Sequence, residues 1–196
     1  MEMLKKNNNT IQVLAFDPGV GMMGWCHIQF DLSDGTSVVL RRGLITGQHL
    51  LKERKELQNK FSKSFIILEV FFEIFCQLID ECKPDYVVTE GAFYHKFAQT
   101  YASLSLVIHT LRRACRIKLG CDLYEVAPME TKKAITGNHM ADKNQIKQSL
   151  MTRPGLTIKE SPTAPLEDVS EHEYDAIGHG LTFIAKDLPT VLASGV

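Results

Sequence analysis

The sequence lacks the cysteine patterns of a secreted or zinc-binding protein. Its five cysteines are scattered, none of them forms a Cys-x-x-Cys pair, and we find no signal peptide at the amino terminus. Cysteines with this distribution are typical of reduced thiols in a cytoplasm-like compartment. We therefore expect a cytoplasmic protein.

A long hydrophobic run is also missing. The most apolar stretch, residues 65–79, is interrupted at helical spacing by Glu69, Glu73 and Gln77. A bilayer-spanning helix needs about 20 consecutive apolar residues. The stretch therefore predicts a buried helix, and we expect no contact with a membrane.

An excess of charge of one sign is the third missing feature. The net charge of −1 and the pI near 6.7 argue against a wholly basic nucleic-acid binder. The charge is segregated, however, because residues 96–153 hold ten Lys and Arg against four Asp and Glu, whereas residues 154–196 hold two against seven. A locally basic segment can bind a phosphate backbone. Ordinary charged helix surface explains the same pattern.

Length and hydrophobic content predict one globular domain. The chain has 196 residues, of which 44% are hydrophobic, and it contains no internal repeat. This length suits a single domain with a sizeable core. We expect a flexible lead-in at residues 1–10, the domain at 11–188 and a tail at 189–196.

The order of the predicted elements indicates an α/β fold with a five-stranded mixed sheet flanked by helices. Strands are predicted at 11–16, 24–30, 36–45, 85–90 and 122–126. Helices are predicted within 49–82 and at 94–118, from Pro128 onward, at 142–151 and at 171–187, with a long loop at 152–170. Three hairpin-linked strands before alternating helices and strands resemble a ribonuclease H-like domain. In such a sheet the first and fourth strands are neighbours, so Asp17 would lie beside Glu90.

Three dispersed carboxylates carry the chemistry that we predict. Asp17 follows the first strand in Ala15-Phe16-Asp17-Pro18-Gly19, Glu90 ends the fourth strand, and Asp175 lies near the start of the closing helix. Taken singly, they are a turn residue, a strand end and a helix-dipole charge. Together they would form a cluster of oxygen ligands, which Mg²⁺ and Mn²⁺ prefer. We therefore predict a two-metal phosphodiester nuclease.

Five short motifs, in order, resemble the RuvC-type Holliday junction resolvases. They are Phe16-Asp17-Pro18-Gly19 with Gly24; Pro84-Asp85-Tyr86 leading to Glu90; the aromatic Phe93; Pro128, Lys132 and Gly137 before Ala141-Asp142-Lys143-Asn144-Gln145; and His172 before Asp175-Ala176. The 17–90 segment and the 152–170 loop are longer than is typical of this family, and His172 stands where many members have Asp. These departures indicate a divergent member, for which a viral origin is one option.

The resemblance implies a structure-selective, Mg²⁺-dependent endonuclease that resolves four-way DNA junctions in recombination and repair. Two ions per site would be held by Asp17, Glu90, His172 and Asp175, with Asp17 bridging them, and Mn²⁺ would substitute for Mg²⁺. His172 and Asp175 are three residues apart, which places them on one helix face. A lone His on a helix is more often a surface or capping residue. The setting would be the cytoplasm of a bacterial or virus-infected cell.

The resemblance also indicates residues that contact DNA. Phe93 would stack on an unpaired base at the junction centre, although a core position is an equal alternative for this ring. Phosphate contacts are expected from the lysines near Phe93 and near Gly137. For Lys133, the alternative is a solvated surface side chain. The full expected set is Phe93, Tyr94, Lys96, Lys132, Lys133 and Lys143.

The same resemblance implies a homodimer, since a four-way junction offers two equivalent strands and each protomer supplies one site. An apolar stripe on the long helix, from Tyr101 to Leu111, could form the dimer seam or pack in the core. Alternatives to junction resolution are a nuclease for other branched DNA or for RNA–DNA hybrids, and a junction-binding module without catalysis. Whether a helicase partner exists is not encoded in any motif.

Overall fold

A six-stranded mixed sheet forms the centre of the molecule. The computed structural model describes residues 9–92, 98–159 and 169–194. The sheet order is β5-β4-β1-β2-β3-β6. Its strands are β1 (Thr10–Asp17), β2 (Met22–Asp31), β3 (Ser37–Thr46), β4 (Tyr86–Glu90), β5 (Tyr124–Val126) and β6 (Leu156–Ile158).

Seven α-helices are present among the described residues. They are α1 (Gly47–Glu53), α2 (Lys63–Cys82), α3 (Ala98–Lys118), α4 (Pro128–Thr136), α5 (Lys143–Met151), α6 (Glu171–Lys186) and α7 (Leu188–Ser194), with a 3₁₀ turn at Lys55–Leu57. The predicted breaks between the helices are confirmed. Pro128 opens α4, Gly137 ends it in a left-handed conformation, and Asp142 caps α5 through a capping box with Gln145.

Strand pairing brings the two predicted strand-end carboxylates to the same edge of the sheet. β1 pairs antiparallel with β2 and parallel with β4, with Phe16 opposite Thr89. Asp17 and Glu90 each follow one residue later, so both lie at the carboxyl ends of neighbouring parallel strands. The prediction that the first and fourth strands are neighbours is confirmed.

Two hydrophobic layers cover the sheet, one on each face. Leu14 and Phe16 of β1 point into a layer formed with α2 and α3, whereas Val13 and Ala15 point into a layer formed with α4, α5 and α6. This alternation follows from the two-residue period of a strand. The predicted buried helix at 65–79 is confirmed within α2, and no helix in the described ranges is long and apolar enough to cross a bilayer.

The sixth strand corrects the prediction of five strands and of a continuous loop at 152–170. Leu156–Ile158 pairs in parallel with β3, in register from Ser37 opposite Leu156 to Val39 opposite Ile158. Three residues after Pro154-Gly155 are too few to show an alternating pattern, so the segment has no strand signal of its own. Residues 160–168, also within that predicted loop, lie outside the described residues.

Candidate metal centre

The carboxyl ends of β1 and β4 supply two acidic side chains to one small space. Asp17 is buried at the end of β1, and Glu90 is partly buried at the end of β4. Burial of charged oxygens is unfavourable unless partners or a cation compensate for it. Both positions therefore indicate a site that is built to hold positive charge.

Helix α6 supplies the third wall, and its first turn is fixed from two directions. Ser170 and Glu173 form a capping box at its amino terminus. The Glu173 carboxylate also accepts a 2.7 Å hydrogen bond from the Arg42 guanidinium of β3, with both side chains almost fully buried. This buried ion pair fixes the start of α6 against the sheet, which orients His172 and Asp175.

The structure brings His172 directly to Asp17. Nδ1 of His172 lies 2.6 Å from Oδ2 of Asp17, a hydrogen-bonded contact between α6 and β1. His179, two turns further along α6, faces the other oxygen of the same carboxylate, with Nε2 3.8 Å from Oδ1. Ligand atoms of Asp17, Glu90 and His179 all lie within 4.8 Å of one another.

Burial and mutual repulsion raise the pKa of two of these acids. For Glu90 the main cause is burial, to which the negative charges of Asp17 and Asp175 add, while His179 and Lys132 act in the opposite direction. The pKa of Asp175 is likewise raised, first by burial and then by Asp17. Carboxylates crowded in this way bind a divalent cation, because the cation removes their repulsion.

All four ligands predicted from the sequence, Asp17, Glu90, His172 and Asp175, lie around one space. His179, which also lies within 4.8 Å of the ligand atoms of Asp17 and Glu90, was not among the predicted ligands. A histidine within an otherwise apolar helix is typical of the core, and the only signal for it was its spacing of four residues from Asp175 and seven from His172, on the same helix face.

The predicted DNA-contacting lysines lie around this space. Lys143, the first residue of α5, places Nζ 2.8 Å from Oε1 of Glu171 and 3.9 Å from Oδ2 of Asp175. Lys132 of α4 is partly buried and close enough to Glu90 to affect its pKa, whereas Lys133 is exposed. The predicted contacts Phe93, Tyr94 and Lys96 lie outside the described residues.

The donor set fits a divalent metal ion. Carboxylate oxygens bind Mg²⁺ and Mn²⁺, and imidazole nitrogens add ligands that first-row transition ions favour more than Mg²⁺ does. Ligand atoms within 4.8 Å of one another are close to the ~4.2 Å that separates opposite ligands of one ion. A buried nitrogen without a partner among the described residues, Nε2 of His179, faces into the cluster. The residues present therefore suit the metal chemistry expected from the sequence.

Comparison of the sequence with protein families and known proteins gives one consistent result. The family model "Crossover junction endodeoxyribonuclease RuvC" matches residues 13–179. A RuvC of this description from Caldicellulosiruptor saccharolyticus is 27% identical over 172 residues, which cover 88% of this chain and 93% of the relative. At this identity the expectation of a divergent sequence is confirmed.

Solved structures with the same fold include a bacterial and a viral protein. Thermus thermophilus RuvC in complex with a Holliday junction substrate superposes with a TM-score of 0.68 at 19% identity, covering 89% of this chain and 93% of that one. The fowlpox virus resolvase in its junction complex gives 0.51 at 12% identity, covering 91% and 99%. The expected α/β, ribonuclease H-like fold is thereby confirmed.

Proposed function

This chain belongs to the RuvC family of crossover junction endodeoxyribonucleases, and from that membership we propose that it resolves four-way DNA junctions with divalent metal ions. The observation that supports this most is the meeting of Asp17 with Glu90 and His172 at one edge of the sheet. Three segments far apart in sequence build this cluster. A fold that needed only to bind DNA would not require buried, mutually repelling acids there.

In this proposal Asp17, Glu90, His172 and Asp175 would hold two Mg²⁺ ions, for which Mn²⁺ would substitute. Bound ions would activate a water molecule and stabilise the charge on the leaving oxygen. Asp17 would contribute to holding both ions, because its two oxygens face different partners, His172 on one side and His179 on the other. Glu90 and Asp175 lie close enough to Asp17 for their charges to repel one another, which is the crowding that the ions would relieve.

Lysines around the cluster would position the phosphate backbone. Lys132 and Lys143 approach the acids from α4 and α5, and Lys133 presents an exposed charge beside them. Such contacts fix the backbone near the metal ions without reading its sequence. Phe93, Tyr94 and Lys96 remain proposed DNA contacts on the strength of the sequence resemblance.

We further propose a homodimer, because a four-way junction has two equivalent strands and each protomer has one cluster. Within α3, Val107, Ile108 and Leu111 pack in the core, while Tyr101 is exposed. The exposed side of α3 is the surface that we propose as the seam. The free thiols of all five cysteines support a cytoplasmic setting, in a bacterial or virus-infected cell.

The test is cleavage of an immobile four-way junction by the purified protein in Mg²⁺ and in EDTA. We expect paired, symmetric incisions in Mg²⁺ and none in EDTA, and Asp17→Asn should abolish cleavage while binding is retained. Equal or faster cleavage of a flap or an RNA–DNA hybrid would assign a broader nuclease instead. Junction binding without cleavage in any divalent metal would make the chain a binding module.

A further inference from the structure

His179 is more deeply buried than His172, the other histidine of the cluster. Its residue is 3% exposed, and it lies in the middle of α6 with its ring directed to the ends of β1 and β4. Burying an imidazole is unfavourable unless both nitrogens have partners. The two nitrogens differ sharply in this respect.

Nδ1 has a partner that fixes the orientation of the ring. Oγ1 of Thr131, itself buried in the first turns of α4, lies 3.0 Å from Nδ1 of His179. Gly178 leaves room for this approach, because a β-carbon there would make a tight contact of 3.1 Å with Cγ2 of Thr131. When Nδ1–H donates to Oγ1, the lone pair is on Nε2.

Nε2 has no hydrogen-bond partner among the described residues, although it faces carboxylates. Its distance of 3.8 Å to Oδ1 of Asp17 is too long for a hydrogen bond. Neither tautomer satisfies Nε2 here: an Nε2–H would find no acceptor within hydrogen-bond distance among the described residues, and an Nε2 lone pair directed at carboxylate oxygens is repulsive unless a cation lies between them. Two ligands at about 2.1 Å from a shared ion are separated by up to about 4.2 Å, which accommodates the observed 3.8 Å.

We propose that His179 is an additional metal ligand, bonding through Nε2 to the ion that Asp17 and Glu90 share, and that Thr131 is the positioning residue that holds its ring. This inference rests on the proposed metal-dependent function. It adds a nitrogen donor from the third turn of α6 to the oxygen-rich set.

A nitrogen ligand changes which metal the site favours. Mg²⁺ binds through oxygen, and imidazole adds little to its affinity, whereas first-row transition ions gain more from a nitrogen donor. His179 should therefore raise the affinity for Mn²⁺ more than the affinity for Mg²⁺. Because His179 belongs to α6, this preference for Mn²⁺ should be measurable without DNA.

The experiment measures metal binding to the full chain without DNA, by calorimetry with Mn²⁺ and Mg²⁺. His179→Ala should weaken Mn²⁺ binding at least 10-fold and Mg²⁺ binding less. Thr131→Val should weaken Mn²⁺ binding about 10-fold, the scale of a lost outer-shell partner, and Thr131→Ser should retain it. His109→Ala, which removes an exposed imidazole of α3 beyond the other face of the sheet, is the matched control and should bind as the unmodified protein does.

Pulsed electron paramagnetic resonance of the Mn²⁺-loaded protein gives a second readout. Nitrogen modulation should persist in His172→Ala and disappear when His179→Gln is added, a change that keeps a polar side chain of similar size in case the alanine variant does not fold. The inference alone would be overturned if Mn²⁺ affinity were unchanged in His179→Ala and His179→Gln, and nitrogen modulation persisted when His179→Gln was added to His172→Ala, while Asp17→Asn lost Mn²⁺ binding. Unchanged Mn²⁺ binding in Asp17→Asn would overturn the metal site of the proposed function as well.

Discussion

Gly24 of β2 touches the backbone of His172 at the start of α6. A β-carbon at Gly24 would lie 2.0 Å from the His172 carbonyl oxygen and 2.2 Å from its carbon, distances that real atoms do not adopt. Gly24 is also paired across the sheet with Asp17. The absent side chain is thus what allows the histidine to reach the carboxylate of β1.

Gly24→Ala should therefore displace the first turn of α6 from the sheet. Overpacking of this kind typically costs about 1–3 kcal/mol of stability. We expect a lower melting temperature and a loss of both Mn²⁺ affinity and junction cleavage. Gly21→Ala is the matched control, since a β-carbon there meets nothing within 4 Å. Equal Mn²⁺ affinity in the two variants would show that α6 does not depend on this contact.

Glu90→Gln should raise the melting temperature of the metal-free protein and lower that of the protein in excess Mg²⁺. Because burial raises the folded-state pKa of Glu90, its ionised form opposes folding above that pKa, and this penalty disappears as the pH falls towards the unfolded value of 4.5. In EDTA at pH 7–8 the variant should melt higher, by about 2–4 °C for each kcal/mol gained. The difference should shrink towards pH 4.5.

Excess Mg²⁺ should reverse that order, because bound metal stabilises only a protein that can hold it. Thermal denaturation with and without EDTA supplies the comparison, and exposed Glu56→Gln is the control. If Glu90→Gln melts lower than the unmodified protein in EDTA, burial and crowding of the acids are not the dominant effect at Glu90.

The strand-end acids could be predicted from sequence because they combine local and topological signals. Apolar runs ending at Asp17 and Glu90 mark strands, and the element order makes those strands neighbours. β6 could not be predicted, since its three residues pair only because β3 offers a free edge. His179 could not be predicted either, because its role depends on its approach to Asp17 and on Thr131 from another helix.

Lys143→Ala should weaken junction binding and make it less sensitive to salt. A phosphate contact releases counterions, so its loss should reduce the slope of log affinity against log salt by about 0.9. Fluorescence anisotropy over a salt series, with metal replaced by Ca²⁺, measures this slope. Lys60→Ala, an exposed lysine before α2, should change neither quantity.

The contacts of Lys143 in the structure suggest an alternative role for this side chain. Its Nζ lies 2.8 Å from Glu171 and 3.9 Å from Asp175, so it could act by neutralising acids and not by binding phosphate. In that case affinity would fall with an unchanged slope, and Mn²⁺ binding without DNA would change as well. The two measurements together assign the role.

The Arg42–Glu173 ion pair should contribute more to the stability of α6 than the capping serine beside it. Glu173→Gln keeps a side chain that can accept the hydrogen bond from the Ser170 backbone N–H, but it leaves the buried guanidinium without its carboxylate. Breaking a buried pair in this way costs about 3–5 kcal/mol. Ser170→Ala removes only the cap, at about 0.5–2 kcal/mol.

Urea denaturation of the single variants Glu173→Gln, Ser170→Ala and Arg42→Met, and of the double variant Arg42→Met/Glu173→Gln, tests this ranking. The double variant should lose less than the sum of its single changes, because Arg42→Met also removes the charge that the Glu173 carboxylate compensates, and a coupling of about 0.5–3 kcal/mol is expected for residues in contact. Since the pair fixes the turn that carries His172, each single variant should also bind Mn²⁺ more weakly. Strict additivity, with Mn²⁺ affinity unchanged, would mean that the capping box alone holds the start of α6.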